Sequence, residues 1–552
     1  MLYLIISFTA LVITVFITPY FIELLKKIRI IDEPDGIRKV HTSPMPRMGG
    51  IIIFSIIITS LFIFYGDINS IKYFLFGCVI IISLGTYDDL FGAGWFLKFL
   101  YQGLAAVCLL VFVLPSFKEL HFFGIEFTTF TASILLFIFI VGTINSFNLL
   151  DGLDGLASGI SLLVSVLLFF LGLNAINPFL LVLLSALIGC LIGFLKYNAF
   201  PARIFLGDSG SLILGYLITS AVILLSINNG VLDLTFAVIL LAVPIADTLN
   251  VMLRRILSGR HPFLADKTHI HHIIFSKNIT HKTTVFIITL YSLLFAANAI
   301  YYRFYSEVYG IIIFFILLIP LIFANRILGF ILRKERLVIY GRAINRFPQF
   351  LINYYRVGIV PIAALFVFSS FVFLLAAGRN LSVEFLIPSI VILVLLLVFT
   401  IINYRRNKFF TDIVVFFNIL LFFIINQSNS IMYKDFSNLP LLGNLNFHLL
   451  IIAVLLPVIG FFLFFRDRIQ QNRPMLLTGL DLVIVLVIVL LSLSSNLVPI
   501  AKTYLINDTI FRSFLIYIFY KIVIQIQPKF RPSLYTFSFL TVLISQTILL
   551  LS

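Results

Sequence analysis

Long apolar runs recur along almost the whole chain, and they limit the folds that are open to it. Each run is long enough to cross the roughly 30 Å of hydrocarbon in a bilayer, and short polar segments separate one run from the next. Of the 552 residues, 61% are hydrophobic and only 11% are charged. Counting the runs predicts an all-α, polytopic transmembrane helical bundle of about 18 helices.

The predicted helices fall into two groups. About 11 runs come first, near residues 2–24, 49–65, 72–87, 95–115, 127–145, 156–173, 178–196, 209–226, 234–252, 284–302 and 308–325. A basic stretch, RILGFILRKERLVIYGRAINRFP, follows them, and about seven more runs come after it. We therefore predict a membrane-embedded core over residues 1–325, a basic cytoplasmic linker over 326–348, and a C-terminal transmembrane extension of unknown role over 349–552.

The formal net charge of +15 is carried by lysines and arginines in short loops between the apolar runs. That distribution is the orientation signal of membrane proteins, so a nucleic acid is not predicted as a partner. Lys26, Lys27 and Arg29 follow the first run and nothing basic precedes it, which puts the end of the first helix in the cytoplasm. Alternation of sides then gathers five polar segments on that face: HTSPMPRMGG, YDDLFG, NLLDGLDG, KYNAFPARIFLGDSGS and RRILSGRHPFLADKTHIHH.

Two carboxylates three residues apart, Asp151 and Asp154, follow an apolar run in the segment NSFNLLDGLDGL. If this segment is helical they share one face, and Gly152 allows a ligand to approach the backbone closely. A helix N-cap would explain one of the two acids. It does not explain both acids together with Asn145 and Asn148, so we predict that these four groups line a site.

The adjacent acids Asp88 and Asp89 end the third apolar run. Two ionised carboxylates at a membrane boundary repel each other unless a cation or a hydrogen-bond donor compensates them. The simpler interpretation of the pair is that water at the interface solvates both carboxylates. If a cation compensates them instead, Mg²⁺ is the natural one, because it prefers carboxylate oxygens and usually keeps water and phosphate ligands.

The segment FLGDSGS places Asp208 at the predicted start of a helix. An ordinary N-cap would account for an acid at that position. A helix N-terminus also presents free amide donors and the positive end of the helix dipole, which suit phosphate. The carboxylate of Asp208 could then bind a metal ion that accompanies the phosphate.

Three imidazoles cluster in ADKTHIHH, at His269, His271 and His272, after basic residues that include Arg260 and Lys267. Zinc is one interpretation, because clustered imidazoles are common zinc ligands. However, residues one and two apart cannot all point at one ion on a regular helix, so an anion-binding loop around a pyrophosphate fits better. Together the polar segments predict a cytoplasm-facing Mg²⁺–phosphate site at the lipid interface.

Five motifs in this order resemble the polyprenyl-phosphate N-acetylhexosamine-1-phosphate transferases: RKVHTSPMPRMGG, YDDLFG, NSFNLLDGLDGL, FLGDSGS and HPFLADKTHIHH. The resemblance covers about residues 1–325. It implies transfer of a sugar 1-phosphate from a UDP-N-acetylhexosamine to undecaprenyl phosphate, with Mg²⁺ as the cofactor and UMP as the product. The HIHH form resembles the branch that uses UDP-N-acetylglucosamine for O-antigen, common-antigen or teichoic-acid linkers. A bacterial inner membrane location, with the site on the cytoplasmic face given by the loop charges, and a homodimer are further expectations.

The resemblance also implies roles for single residues. Asp208 matches the metal ligand of the family, and Asp88 matches the group that handles the lipid phosphate and is the second candidate metal ligand. Asn148 and Asp151 match positions that hold the nucleotide. The predicted catalytic residues are Asp88, Asp89, Asp151, Asp154, His269, His271 and His272, and the predicted substrate-binding residues are Arg47, Asn145, Asn148, Asp151, Arg260 and Lys267.

The chemistry of the implied acceptor limits the mechanism. A phosphate monoester, whose second pKa is about 6, is already largely dianionic at neutral pH, so proton abstraction should contribute little. Asp88 is therefore expected to act in positioning or charge rather than as a general base. A direct single displacement is favoured, and a covalent aspartyl intermediate is the alternative.

A transporter, such as a flippase of lipid-linked glycan precursors, is the competing function, and the C-terminal half suits it. The gathering of polar groups at one face argues against this for the core, because transporter sites are expected near the bilayer midplane. In the C-terminal half, Asp412 comes at the predicted start of a helix and is expected to be a cap.

Overall fold

The computed structural model describes residues 2–32, 44–175, 177–259, 269–275, 281–324, 349–376, 386–403, 408–426, 447–464 and 506–551. Within these ranges, eleven helices are long and apolar enough to cross a bilayer, or twelve if a bent pair counts as one span. The predicted all-α polytopic bundle is thereby confirmed. The chain divides into two compact units, one mainly of Ile6–Arg333 and one mainly of Lys334–Leu477 and Pro499–Ser552. The predicted linker, 326–348, lies outside the described residues.

The helices of the larger unit follow the predicted runs with small shifts at their ends. They are α1 (Leu2–Lys27), α2 (Gly50–Phe64), α3 (Lys72–Phe91), α4 (Trp95–Val113), α5 (Thr129–Leu150), α6 (Leu156–Ala175), α7 (Pro178–Asn198), α8 (Gly207–Ser226), α9 (Leu234–Leu240), α10 (Ala242–Leu257), α11 (Ile270–Phe275), α12 (His281–Phe304) and α13 (Glu307–Ile322). Helices α3 and α5 extend past the apolar runs and carry Asp88 and Asn148 in their last turns.

Helices α6, α7 and α8 form the centre of the larger unit. They are apolar on every side, as expected of helices inside a bundle, and almost all of their side chains are buried. A Cβ atom on Gly50 would lie 2.2 Å from the backbone N of Gly210, and one on Gly85 would lie 2.4 Å from Cα of Ser209. Because any side chain at these two positions would clash, the glycines allow α2 and α3 to pack directly against the first turn of α8.

Helices α9 and α10 form a bent pair, with an angle of 83° between them. The sequence predicts a single helix over 234–252, and this detail is wrong. Pro244 lies in the first turn of α10 and has no N–H to donate to the turn before it, and in a continuous helix its ring would clash with the carbonyl of Leu240. The break leaves α10 as a separate helix with Asp247, Thr248, Val251 and Arg255 on its buried side.

Short strands join some of the helices, and they are not predicted from the sequence because long apolar runs indicate only helices. Strands β1 (Ile31–Asp32) and β2 (Met45–Pro46) pair after α1. Strands β3 (Glu119–Phe122), β4 (Ile125–Thr128), β5 (Ile227–Asn228) and β6 (Val231–Asp233) form a sheet in the order β4-β3-β6-β5. Its β3–β6 pair is parallel and the other two pairs are antiparallel. The sheet therefore ties the α4–α5 loop to the α8–α9 loop at one end of the bundle.

The smaller unit contains helices α14 (Gln349–Tyr354), α15 (Val360–Ala376), α16 (Leu386–Asn403), α17 (Lys408–Ile425), α18 (Phe447–Phe464), α19 (Ile506–Ile526) and α20 (Arg531–Leu551), with a π-helical turn at Tyr355–Ile359. Side-chain amides link α17 to α20, since Nδ2 of Asn418 donates to Oγ of Ser538 over 3.1 Å.

Asp412 lies in the second turn of α17 rather than at its cap. Its Oδ2 lies 2.7 Å from Nζ of Lys521 on α19, and the hydroxyl of Tyr520 donates to its Oδ1 over 3.1 Å. The expectation that Asp412 is a helix cap is therefore wrong, and the residue belongs to a buried ion pair.

Candidate active site

A cavity of about 430 Å³ opens at the end of the larger unit that lies opposite the four-stranded sheet. The start of α4, the end of α5, the buried side of α10 and the segment around α11 surround it. Six of the predicted site residues line this cavity: Asn145, Asn148, Asp151, His269, His271 and His272. Arg255, one of the basic residues before the histidines, lines it as well, as do Lys98, Gln102 and Thr248, which the sequence did not predict. Residues far apart in the chain thus meet at one end of one bundle.

Asp208 and Asn148 bind each other beside the cavity. Nδ2 of Asn148, in the last turn of α5, donates to Oδ1 of Asp208 over 2.6 Å and also lies 2.9 Å from Oγ of Ser211. Asp208 is the second residue of α8, as predicted from FLGDSGS. The amide of Asn148 therefore fixes one oxygen of the Asp208 carboxylate and leaves the other oxygen for a cation.

That cation is Lys98, which stands in the first turn of α4. Its Nζ lies 2.8 Å from Oδ2 of Asp208 and also forms an ion pair with Oδ2 of Asp88. The other oxygen of Asp88 accepts the backbone N–H of Ala93 over 2.5 Å. Two carboxylates and one ammonium group thus meet at the rim of the cavity, with a formal charge of −1 when all three are ionised.

The adjacent acids Asp88 and Asp89 have separate partners. Asp89 is 3% exposed, and its two oxygens accept the backbone N–H groups of Asp208 and Ser209 over 3.0 and 3.1 Å. It therefore caps the first turn of α8, whose N–H groups have no partner within the helix. Asp89 does not line the cavity, so the contacts support a role in holding Asp208, and its predicted catalytic role stays a prediction.

Asp151 follows the last residue of α5 and lines the cavity. Burial raises its pKa to about 8, and the nearby carboxyl groups of Asp89 and Asp154 add to the rise. An acid with such a pKa is largely neutral at pH 7. A cation or a donor-rich ligand in the cavity would favour its ionised form.

Asp154 does not line the cavity, and its contacts organise two loops. Its Oδ2 accepts the N–H of Ala202 over 3.0 Å, and its own N–H donates to Nε2 of His281 over 3.2 Å. The ring of His281 stacks on Phe200 with 4.4 Å between the ring centroids. These contacts support a structural role for Asp154, and its predicted catalytic role stays a prediction.

The three predicted histidines stand side by side at the cavity. The rings of His269 and His271 are nearly parallel, at 9°, with centroids 5.8 Å apart, and His272 lies 4.3 Å from His271. Burial lowers the pKa of His271 to about 3, and the neighbouring His272 and His269 rings lower it further. His271 is therefore neutral at pH 7, and its Nδ1 has no hydrogen-bond partner among the described residues.

His269 has a partner, Asp247, that is not predicted from the sequence. Oδ2 of Asp247 lies 2.9 Å from Nδ1 of His269, and Oδ1 of the same carboxylate accepts the N–H of Ile270 over 2.8 Å. Asp247 and Lys98 share one signal that could have revealed them. Each is an isolated charge inside a run otherwise long and apolar enough to be a membrane span, where ionisable groups are rare and usually functional.

The other predicted site residues lie elsewhere. Arg47 follows β2 and its Nη1 lies 3.8 Å from Oδ1 of Asp32, outside the cavity lining. Arg260 and Lys267 lie in residues 260–268, outside the described residues. The substrate-binding roles of these three basic residues stay predictions.

The predicted metal ligands, Asp88 and Asp208, can be tested against the chemistry of Mg²⁺. In the described part of the chain, no group of three or more His, Cys, Asp and Glu side chains is arranged to hold a metal ion. The two carboxylates nevertheless direct their oxygens at a common cation, the Lys98 ammonium group. Because Mg²⁺ is often held by only one or two carboxylates, with water and substrate phosphate as its other ligands, these residues fit it.

Comparison with known proteins finds relatives that are all named as transferases. The profile of glycosyl transferase family 4 matches residues 71–226. The probable undecaprenyl-phosphate N-acetylglucosaminyl 1-phosphate transferase of Bacillus subtilis is 34% identical over 346 residues, which are 60% of this chain and 94% of that protein. The undecaprenyl-phosphate alpha-N-acetylglucosaminyl 1-phosphate transferase of Thermotoga maritima is 34% identical over 295 residues, 53% of this chain and 89% of that protein. A phospho-N-acetylmuramoyl-pentapeptide-transferase of Staphylococcus carnosus is 32% identical over 298 residues, 48% of this chain and 89% of that protein.

Proposed function

The chain belongs to glycosyl transferase family 4, and from that premise we propose that it transfers N-acetylglucosamine 1-phosphate from its UDP derivative to undecaprenyl phosphate. UMP is the second product, and the lipid-linked sugar begins a cell-envelope glycan. The names of the Bacillus and Thermotoga relatives support both the sugar and the acceptor. O-antigen of lipopolysaccharide, common antigen and teichoic-acid linkers are the glycans that this product could begin.

The observation that carries the proposal is the meeting of Asp88, Lys98 and Asp208 beside a cavity lined by histidines. The proposed reaction brings a phosphate anion against a pyrophosphate, and their repulsion is strong near hydrocarbon. An ammonium group and imidazole donors offset negative charge in such a site. Mg²⁺, when bound at Asp208 and Asp88, would supply further neutralisation as a Lewis acid.

The cavity also suits a substrate that stays in the membrane. Trp95 and Phe99 line it, and they are 55% and 42% exposed. Both lie on α4, a helix long and apolar enough to be a span, so the exposed faces of these rings would contact lipid. An acceptor phosphate could therefore enter from the bilayer while its prenyl chain remains in hydrocarbon.

The contacts of Asp88 favour a role in charge and position. One of its oxygens accepts a backbone N–H and the other is paired with Lys98, so both oxygens are engaged in holding the site together. The acceptor phosphate is already largely dianionic at neutral pH and needs no base. A single displacement at the β-phosphorus is therefore our proposal, and inversion of a chiral β-phosphorus would support it, whereas retention would indicate a covalent aspartyl intermediate.

Location follows from the substrates. A UDP-sugar is a soluble, anionic metabolite of the cytoplasm, so the cavity would face the cytoplasm from the inner membrane. The homodimer stays a prediction, and no role is assigned to the C-terminal unit. A transporter remains the competing function, but a cavity at one end of the bundle favours an enzyme for the larger unit, since transporter sites lie near the midplane.

The test is an assay of UMP release with purified full-length protein, UDP-N-acetylglucosamine, undecaprenyl phosphate and Mg²⁺. We expect release that depends on the lipid phosphate and on Mg²⁺, and that falls at least 100-fold in Asp208→Asn. Asp67→Asn is the matched control, because Asp67 is an exposed acid in the loop before α3. Absence of UMP with every UDP-hexosamine, from protein that melts cooperatively, would contradict the proposal and favour the transporter.

A further inference from the structure

Asp247 stands out because it is a buried acid that the proposed reaction does not use directly. It lies on α10, is 7% exposed, and contacts His269, which is 4% exposed and lines the cavity. We propose that Asp247 is a positioning residue that holds His269 with its proton on Nδ1, so that Nε2 of the ring serves the bound donor. This inference rests on the proposed function for the identity of that donor.

The carboxylate of Asp247 makes two bonds at once. Its Oδ2 lies 2.9 Å from Nδ1 of His269, and its Oδ1 accepts the N–H of Ile270 at the start of α11 over 2.8 Å. The first bond sets the rotation of the ring, and the second sets the backbone that carries it. One side chain on α10 therefore fixes the position of His269 in the cavity wall.

The Asp247 carboxylate determines which ring nitrogen of His269 carries the proton. An ionised carboxylate can only accept hydrogen bonds, so the nitrogen that faces it, Nδ1, must carry a proton. In the neutral ring Nε2 is then an acceptor, and in the imidazolium it is a donor that the nearby negative charge stabilises. Carboxylates that orient the imidazole of a catalytic or metal-binding histidine work in this way.

A ring held in this way suits a phosphorylated ligand. In the imidazolium form, the N–H at Nε2 of His269 can donate a hydrogen bond to a pyrophosphate oxygen of the UDP-sugar. The neutral ring of His271 lies beside it. Arg255 lines the same cavity from α10, two turns after Asp247. The two residues of α10 would thus act on one anion, Arg255 directly and Asp247 through His269.

A purely structural acid would not need the ring. Capping the first N–H of α11 requires only one of the two carboxylate oxygens, and burying a carboxylate is costly unless both oxygens have partners. The imidazole supplies the second partner and at the same time lines the cavity. The geometry therefore couples the stability of this segment to the orientation of a site residue.

The first experiment is a double-mutant cycle in the UMP-release assay, with Asp247→Asn, His269→Ala and the combined variant. Asparagine keeps the size of the side chain but can offer only one acceptor oxygen, so it cannot satisfy both donors. We expect Asp247→Asn to lower kcat/KM about 10- to 100-fold. If Asp247 acts through His269, the combined variant should be no worse than His269→Ala within about 3-fold, because the effects of contacting residues are not additive.

The control is Asp233→Asn, which makes the same change at the N-cap of α9, outside the cavity lining, and should retain activity within about 2-fold. Activity of Asp247→Asn equal to that of the wild type would overturn the proposal. Multiplied losses in the combined variant would also overturn it, because they would show that Asp247 acts independently of His269.

The second experiment does not need activity. Nitrogen-15 NMR of histidine-labelled protein, with His269→Ala used to assign the signal, reports which ring nitrogen of His269 carries the proton. We expect protonated Nδ1 in the wild type and loss of that preference in Asp247→Asn. A wild-type ring with its proton on Nε2 alone would contradict the proposal even if UMP release is normal, and an inactive wild type with the expected signal would contradict only the proposed function.

Discussion

The ammonium group of Lys98 lies 2.8 Å from Oδ2 of Asp208, although 110 residues separate the two in the chain. Lys98 is also paired with Asp88, so a single cation joins the last turn of α3, the first turn of α4 and the first turn of α8. Two carboxylates that could repel each other are thereby held on one positive charge. A phosphate entering the cavity would meet the same ammonium group, which can exchange a carboxylate for a phosphate oxygen.

Replacement of Lys98 by glutamine should therefore damage catalysis more than it damages folding. We expect Lys98→Gln to lower turnover about 100-fold, because it removes a charged donor from the place where phosphate charge accumulates. The measurement is UMP release as a function of Mg²⁺ concentration, and extra Mg²⁺ should not restore the rate if Lys98 binds phosphate. Lys72→Gln, at the other end of α3, is the control. Recovery at high Mg²⁺ would show that Lys98 only neutralises the carboxylates.

Gly152 makes a second prediction possible, because a side chain at its position would meet the ring of His271. A Cβ atom there would lie 2.2 Å from Nε2 of His271. Gly152→Ala should therefore displace the His271 ring from the cavity wall and lower kcat/KM at least 10-fold. Gly142 is a matched control on α5, since a Cβ atom there meets nothing within 4 Å. Gly142→Ala should keep full activity, and equal losses in both variants would show that the effect is not specific to His271.

The raised pKa of Asp151 predicts how the stability of the protein depends on pH. Burial raises its pKa in the folded protein to about 8, against 3.8 for an unperturbed aspartate. Between these two values the folded state binds more protons than the unfolded state, so this group lowers the free energy of unfolding as pH rises from about 4 to about 8. A neutral asparagine has no such effect. Asp151→Asn should therefore gain stability relative to the wild type as pH rises through that window, and the gain should level off above pH 8.

The measurement is the melting temperature of ligand-free protein in detergent at pH 5.5 and pH 8.5. We expect the difference between Asp151→Asn and the wild type to grow by at least about 2 °C between the two values. The exposed Asp67 is again the control, and Asp67→Asn should show the same difference at both pH values. A constant difference for Asp151→Asn would show that the carboxyl group is ionised throughout. The same variant should lose activity, because Asp151 lines the cavity. A site residue that lowers stability but is needed for activity is a common trade-off.

The sequence predicted the helices of the bundle well because hydropathy is a local property. It also predicted Asp208 at the start of α8, and it predicted that Asn145, Asn148, Asp151 and the three histidines share a site. These residues come in polar segments after apolar runs, so alternation of sides was enough to bring them to one face. The motif order, rather than any single spacing, indicated the family.

The partners of these residues could not be read from the chain in the same way. Lys98 and Asp247 are single charges within apolar runs, and only the packing of α4 and α10 brings them to Asp208 and His269. The adjacent acids Asp88 and Asp89 lie about 100° apart around a helix, so they point to different neighbours. Such assignments depend on helix rotation, which hydropathy does not report.

The last prediction concerns the smaller unit. We expect that a loss of its stability does not reduce the transfer of the sugar phosphate. The Bacillus relative is matched over 94% of its length by 346 residues of this chain, so that relative is much shorter than 552 residues. The extra length should therefore not be needed for chemistry. The buried pair of Asp412 and Lys521, with side chains 7% and 14% exposed, offers a way to perturb this unit alone.

Lys521→Met leaves a buried carboxylate without its closest cation and should destabilise the smaller unit by about 3 kcal/mol. Lys529→Met, at an exposed position after α19, should leave stability unchanged within about 0.5 kcal/mol. Both variants should release UMP within about 2-fold of the wild type when assayed below their melting temperature. If Lys521→Met is folded but has lost transfer, the smaller unit takes part in catalysis. Its ion pair would then be a component of the enzyme rather than of a separate membrane module.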